Sequence, residues 1–168
     1  MKVVLDTSAL IYLSDFSQFE EIILPQKVLE EVKVLSMNEI KELHALLEDL
    51  TGKPITKLDS LSKLREAVAT IEKSNAKEHI PKTLLGVAYL RLWEVTHNEE
   101  FFRKAEDTLR ESEDLNAIFD LGIAYFRRKV FRKAEEMFRR CLKYAPLDKK
   151  AQQYLRVIEA IMSKRVTR

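Results

Sequence analysis

One cysteine, three glycines and four prolines are all that this 168-residue chain holds of the residues that most restrict or release a backbone. A lone Cys141 excludes an intrachain disulfide and fits a reducing compartment. So few glycines and prolines leave little room for long loops. No stretch reaches the roughly 18 uncharged residues that a membrane span needs. Asp6 interrupts the only apolar start that would serve as a signal segment. A cytoplasmic protein without membrane contact is therefore expected. His44, His79 and His97 stand far apart and show no metal-ligand spacing. Neither a phosphate loop, a zinc motif nor a nucleophile triad is visible.

What is present is apolar and charged. Apolar residues make up 46% of the chain, enough for the core of one domain or two small ones. Charged residues make up 33%, mostly Lys, Arg and Glu, which suits long exposed helical faces and also occurs in thermophile proteins. The net charge of +2 is unevenly spread. Residues 1–76 hold 9 basic and 13 acidic groups, whereas residues 77–168 hold 20 and 14. That shift supports two regions, 1–75 and 76–168.

The second region carries the strongest pattern. In a frame of about 34 residues, Leu121 and Gly122 fall at the seventh and eighth positions, followed in register by Tyr125, Ala134, Phe138 and Pro146. This pattern resembles the tetratricopeptide repeat, a pair of antiparallel helices. Small Gly122 and Ala134 let the helices approach, and Leu121, Tyr125 and Phe138 fill the seam. Leu85-Gly86-x-x-Tyr89 repeats the opening, with Ala105 and Leu109 on its partner helix. From Gly86 to Ala105 the interval is seven residues longer than from Gly122 to Ala134, so the first helix is expected to run long, to Trp93–Thr96. Ala151, Tyr154, Leu155, Ile158 and Ile161 form one apolar stripe of a closing helix. Cys141 takes a small buried position in the frame and is expected to be a packed, inert thiol.

The resemblance implies a partner-binding surface along the first helices of the pairs. It would present Asn116, Phe119, Ile123, Phe126 and Arg127, with Thr83, Val87, Leu90 and Arg91 from the earlier pair. That surface suits an amphipathic helix; the same apolar spacing is equally that of ordinary core. From Arg127 to Lys143 there are eight basic and two acidic residues. Arg128, Lys129, Arg132 and Lys133 are candidate contacts to RNA phosphates, or else a solvated turn with cations at a helix carboxyl end.

In the first region, Val3, Val4 and Leu5 read as a strand running into a helix, with Glu21–Leu24 a second strand and residues 54–58 a third. Helices are expected at Lys27–Val32, through Ile40–Leu50, and at Leu61–Lys73. Val4-Leu5-Asp6-Thr7-Ser8-Ala9-Leu10 and Pro25-x-x-Val28-x-x-Glu31 resemble the first half of a PIN domain, a fold of metal-dependent ribonucleases. The resemblance implies that Asp6 and Glu31 bind Mg²⁺ or Mn²⁺. The stretch where the family supplies further acids, residues 79–85, contains none, and two carboxylates alone position a metal-bound water poorly.

The fold class expected is α+β, mostly helical: a small PIN-like region followed by helical pairs and a closing helix. The function expected is a non-catalytic interaction or scaffold protein with a protein or peptide partner and no cofactor. The alternatives are a Mg- or Mn-dependent endoribonuclease and an RNA-binding protein without cleavage.

Overall fold

In the computed structural model, the residues described are Lys2–Val4, Glu21–Ile23 and 34–166, with side chains over 34–164. The chain divides into two compact units, Met1–Pro81 and Lys82–Arg168.

In the first unit, α1 spans Met37–Thr51 and α2 spans Leu58–Glu72. Ser36 starts α1 with a reciprocal cap: its hydroxyl accepts from the Glu39 N–H at 3.3 Å, and the Glu39 carboxylate accepts from the Ser36 N–H at 2.8 Å. Ile40 and Leu47 on α1 and Leu64, Ala67, Val68 and Ile71 on α2 are buried, a helical spacing on each. A 3₁₀ helix at Asn75–Glu78 follows, and it packs on α2. The Asn75 side chain accepts from the Leu35 N–H at 2.8 Å and donates to the Leu35 carbonyl at 3.1 Å. One amide thus satisfies both backbone groups of a residue 40 positions earlier and pins the segment entering α1.

The α+β class and its PIN-like region are corrected by this unit. Two three-residue segments, β1 (Lys2–Val4) and β2 (Glu21–Ile23), run parallel, with Val3 opposite Ile22. From residue 34 onward every regular element is helical. The strand expected at 54–58 does not form. Residues 54–56 are irregular, Leu58 opens α2 with 82% of its surface exposed, and the Leu61 N–H donates to the Lys57 carbonyl at 3.1 Å. A strand there would need a sheet edge for its N–H and C=O groups; the helix satisfies them locally. The helix expected at Lys27–Val32 lies outside the described residues.

The second unit is five helices: α3 (Lys82–Thr96), α4 (Glu99–Leu109), α5 (Leu115–Arg127), α6 (Phe131–Tyr144) and α7 (Lys149–Val166). The closest packing is α3 on α4 and α5 on α6, so the chain makes two hairpins, with α7 packed on α6. Each hairpin closes at its glycine. A Cβ on Gly86 would lie 2.4 Å from Leu109 Cδ2, and one on Gly122 would lie 2.9 Å from Phe138 Cε1. The seven extra residues of the first hairpin are distributed along its helices. Five lengthen α3 beyond its glycine and three lengthen the start of α4, while the turn is one residue shorter.

Both turns use a left-handed residue, His97 (φ 53°) and Lys129 (φ 60°). At the second turn the Val130 N–H reaches the Tyr125 carbonyl at 3.0 Å and the Lys129 N–H reaches the Phe126 carbonyl at 2.9 Å. That pair of bonds is a Schellman motif. At the first turn a single bond, His97 N–H to Trp93 carbonyl at 2.8 Å, does the same work. Helix α7 would open a third hairpin, with Leu155 in the place of Leu121. The next residue is exposed Arg156 where the hairpins have glycine, so the side chain that would have to vanish is instead long and charged.

Candidate functional site

The burial pattern of the second unit separates a packed face from an accessible one. On α3, Leu85, Gly86, Ala88, Tyr89, Leu90, Leu92 and Trp93 are buried. Thr83, Val87, Arg91 and Glu94 are half-buried and recur every three to four residues. On α5, Ala117, Ile118, Leu121, Gly122, Ala124 and Tyr125 are buried. Asn116, Asp120, Ile123 and Arg127 keep the same spacing and remain accessible. Salt bridges between the helices place these two lines side by side. Arg91 lies 3.2 Å from Asp120, and Arg127 lies 2.7 Å from Glu94, which also holds Arg91 at 3.0 Å.

This strip differs from the apolar surface expected from the sequence. Leu90, a candidate contact, is 2% exposed and belongs to the core. Phe119 and Phe126 are half-buried because Tyr154 of α7 lies against them, with ring centroids 5.9 and 5.3 Å away. Tyr154 also stacks on Phe138 at 4.8 Å. The closing helix therefore occupies most of the aromatic surface that α5 offers. Val87, Ile123 and Arg127 remain accessible, joined by Arg91, Glu94, Asn116 and Asp120.

Burial raises the Asp120 carboxyl above its ordinary value, partly offset by Arg91, and the charges of Glu94 and Asp114 add to the rise. Asp120 Oδ2 takes the guanidinium of Arg91. Asn116 is exposed.

The basic cluster resolves into a ladder between the hairpins. Arg127 pairs with Glu94 at 2.7 Å, Arg128 with Glu99 at 2.7 Å, and Lys133 with Glu106 at 2.6 Å. Arg128 also lies over the Phe102 ring, 3.8 Å from its centroid. Its Nη1 meets the Glu99 charge but is not aligned for a hydrogen bond. Arg140 donates to the carbonyls of Arg110 at 2.6 Å and Ser112 at 2.8 Å, tying α6 to the end of α4. Of the four candidate RNA contacts, Arg128 and Lys133 are thus held by acids of the first hairpin. Lys129 and Arg132 are exposed and have no ion-pair partner among the described residues.

Glu106 is the most heavily engaged of these acids. It accepts from Tyr125 Oη and Lys133 Nζ, each at 2.6 Å, and from Arg110 at 3.4 Å. Burial pushes its carboxyl up, but the hydrogen bonds from Lys133 and Tyr125 and the charges of Lys133 and Arg110 outweigh burial and leave it below the ordinary value. A depressed carboxyl stabilises the fold above its unfolded pKa near 4.5, and the contribution fades as pH falls below that. Glu106→Gln is therefore expected to cost about 1–2 kcal/mol at pH 7 and much less at pH 3. Denaturant midpoints of the two proteins, measured at both pH values, check this; a gap that stays constant contradicts it.

Cys141 is buried, its thiol pushed up to about 11, first by burial and then by Asp148. A cavity of about 210 Å³ beside it is lined by Asn116, Phe119, Ala145 and Lys150 among others. That is smaller than the roughly 300–1,000 Å³ of common ligand sites. No three His, Cys, Asp or Glu side chains among the described residues are grouped to hold a metal ion. Asp6 and Glu31 lie outside the described residues. No described helix is long and apolar enough to cross a membrane.

By its fold, the second unit is a helical-hairpin array with one charged strip left open. No family model, curated protein or solved structure matches the chain. The PIN resemblance falls with the α/β region that it required. What remains of the tetratricopeptide resemblance is the coarser statement of two helical hairpins and a closing helix.

Proposed function

We propose that Lys82–Arg168 is a non-catalytic protein-binding module that takes a partner segment along the strip formed by α3 and α5. The observation that carries this reading is the accessibility of two parallel lines of side chains on helices whose other faces are buried. Thr83, Val87, Asn116 and Ile123 supply contact surface, and Arg91, Glu94, Asp120 and Arg127 supply charges of both signs. Such a strip is polar enough to stay open in water and has apolar points for a partner to cover.

Site-specific crosslinking tests it. A photoreactive residue in place of Ile123 is expected to capture a defined protein in cells, with a yield at least about tenfold above the same residue placed at exposed Arg103 on α4. Ile123→Asp is expected to weaken that partner about tenfold or more, the scale of a lost interface anchor. Equal capture from both positions would remove the strip as the binding surface.

A further inference from the structure

We infer that the partner segment is acidic and apolar, and that the turn between α5 and α6 reads it. The inference rests on the proposed partner-binding function and adds the chemistry of the partner.

Residues 126–132 bring two features together. The rings of Phe126 and Phe131 meet edge to face at 5.7 Å and are half-buried, and Val130 beside them is 37% exposed. Around this apolar corner stand Lys129 and Arg132, both exposed and both without an ion-pair partner among the described residues. The left-handed turn fixes the backbone of Lys129, so its ammonium is presented from a rigid point. Arg127 adds a third cation; its pairing with Glu94 leaves 58% of the side chain exposed. The neighbouring cations Arg128 and Lys133 are already neutralised by Glu99 and Glu106.

The charge of the occupant follows. Two unpaired cations beside a partly covered cation leave a local positive field that an acidic segment neutralises. A basic or neutral segment would leave Lys129 and Arg132 beside it without compensation. A nucleic acid fits less well, because its backbone needs a longer run of unpaired cations, and here Glu94, Glu99 and Glu106 lie among them. Its bases would also need open aromatic faces, whereas Phe126 and Phe131 pack on each other.

The test uses the full chain and four labelled probes followed by fluorescence anisotropy. Three are helix-forming peptides with the same leucine spacing, flanked by Glu, Gln or Lys; the fourth is a single-stranded RNA of twelve nucleotides. The acidic peptide is expected to bind at least about tenfold tighter than the neutral one, and to weaken as salt rises. The double variant Lys129→Glu, Arg132→Glu is expected to remove that preference and leave the neutral peptide unchanged. Arg132→Glu puts an acid in the first turn of α6, where the helix dipole favours it, so the variant is expected to fold; circular dichroism checks that. Val130→Asn, which removes the apolar contact without adding charge, is expected to weaken the acidic and neutral peptides alike. Equal binding of the Glu and Gln peptides, no binding of any peptide, or tighter binding of RNA would each overturn the inference. Loss of both peptides in Ile123→Asp without any effect of the charge reversal would keep the strip as a protein site and remove only the acidic preference.

Discussion

Phe138→Ala is expected to remove a large share of the second unit's stability. The ring is fully buried. It fills the space over Gly122, meets Phe119 edge to face at 5.4 Å and stacks on Tyr154 at 4.8 Å. It thus joins α6 to α5 and to α7 at one point. Removing a buried phenylalanine costs about 3–5 kcal/mol, and small domains hold only about 5–15 kcal/mol in total. The loss also takes one ring contact from each of Tyr154 and Phe119, so near-ultraviolet circular dichroism is expected to fade along with the denaturant midpoint. Phe138→Leu keeps most of the apolar volume and is expected to lose about half as much. A midpoint within about 1 kcal/mol of wild type for Phe138→Ala would mean that α7 does not depend on this ring.

The hairpins are legible in the sequence because their signal is local and steric. Gly122, Tyr125, Ala134 and Phe138 lie within seventeen residues, and their spacing is set by how closely two helices can pack. The long first helix of the earlier pair is legible for the same reason, and α3 ends at Thr96. The charged strip is not legible, because it depends on pairs far apart in the chain. Arg127 and Glu94 are 33 residues apart, and Arg91 and Asp120 are 29. Read alone, the run from Arg127 to Lys143 is an unbalanced basic cluster. In the folded unit, acids on the preceding hairpin balance Arg127, Arg128 and Lys133, and at the turn Lys129 and Arg132 are left. Tyr154 explains why α5 leaves less apolar surface open than its spacing suggests. It stands on the stripe of the closing helix, and no local pattern says that its ring will cover Phe119 and Phe126. The strand expected at residues 54–58 fails because a five-residue stretch with Ile55 and Leu58 as its aliphatic residues carries no information about a neighbouring sheet edge, and Leu58 begins a helix instead.

The two glycine positions make a sharper test of the hairpins than any truncation, because the structure ranks them. At Gly86 an added methyl would stand 2.4 Å from Leu109 Cδ2, 2.6 Å from its Cγ and 3.2 Å from Thr108 Cγ2. At Gly122 the nearest atoms are Phe138 Cε1 at 2.9 Å, Phe138 Cζ at 3.1 Å and Met137 Cβ at 3.2 Å. Leu109 and Phe138 are both fully buried, so neither can swing into solvent, but Leu109 is also met at its Cγ, too near its own backbone to move freely. Phe138 meets the new methyl with a ring edge and needs a shift of only a few tenths of an ångström. Alanine gains about 1 kcal/mol of helix propensity over glycine at both positions, and overpacking costs about 1–3 kcal/mol. The larger overlap places Gly86→Ala at a net loss of about 2 kcal/mol, and Gly122→Ala nearer to neutral. Shortening the opposing side chain separates sterics from backbone effects. Leu109→Ala in the Gly86→Ala background is expected to cost less than Leu109→Ala alone, because the new methyl fills part of the cavity. If the two changes simply add, helices α3 and α4 do not close on Gly86, and the hairpin geometry that sets the α3–α5 strip is wrong.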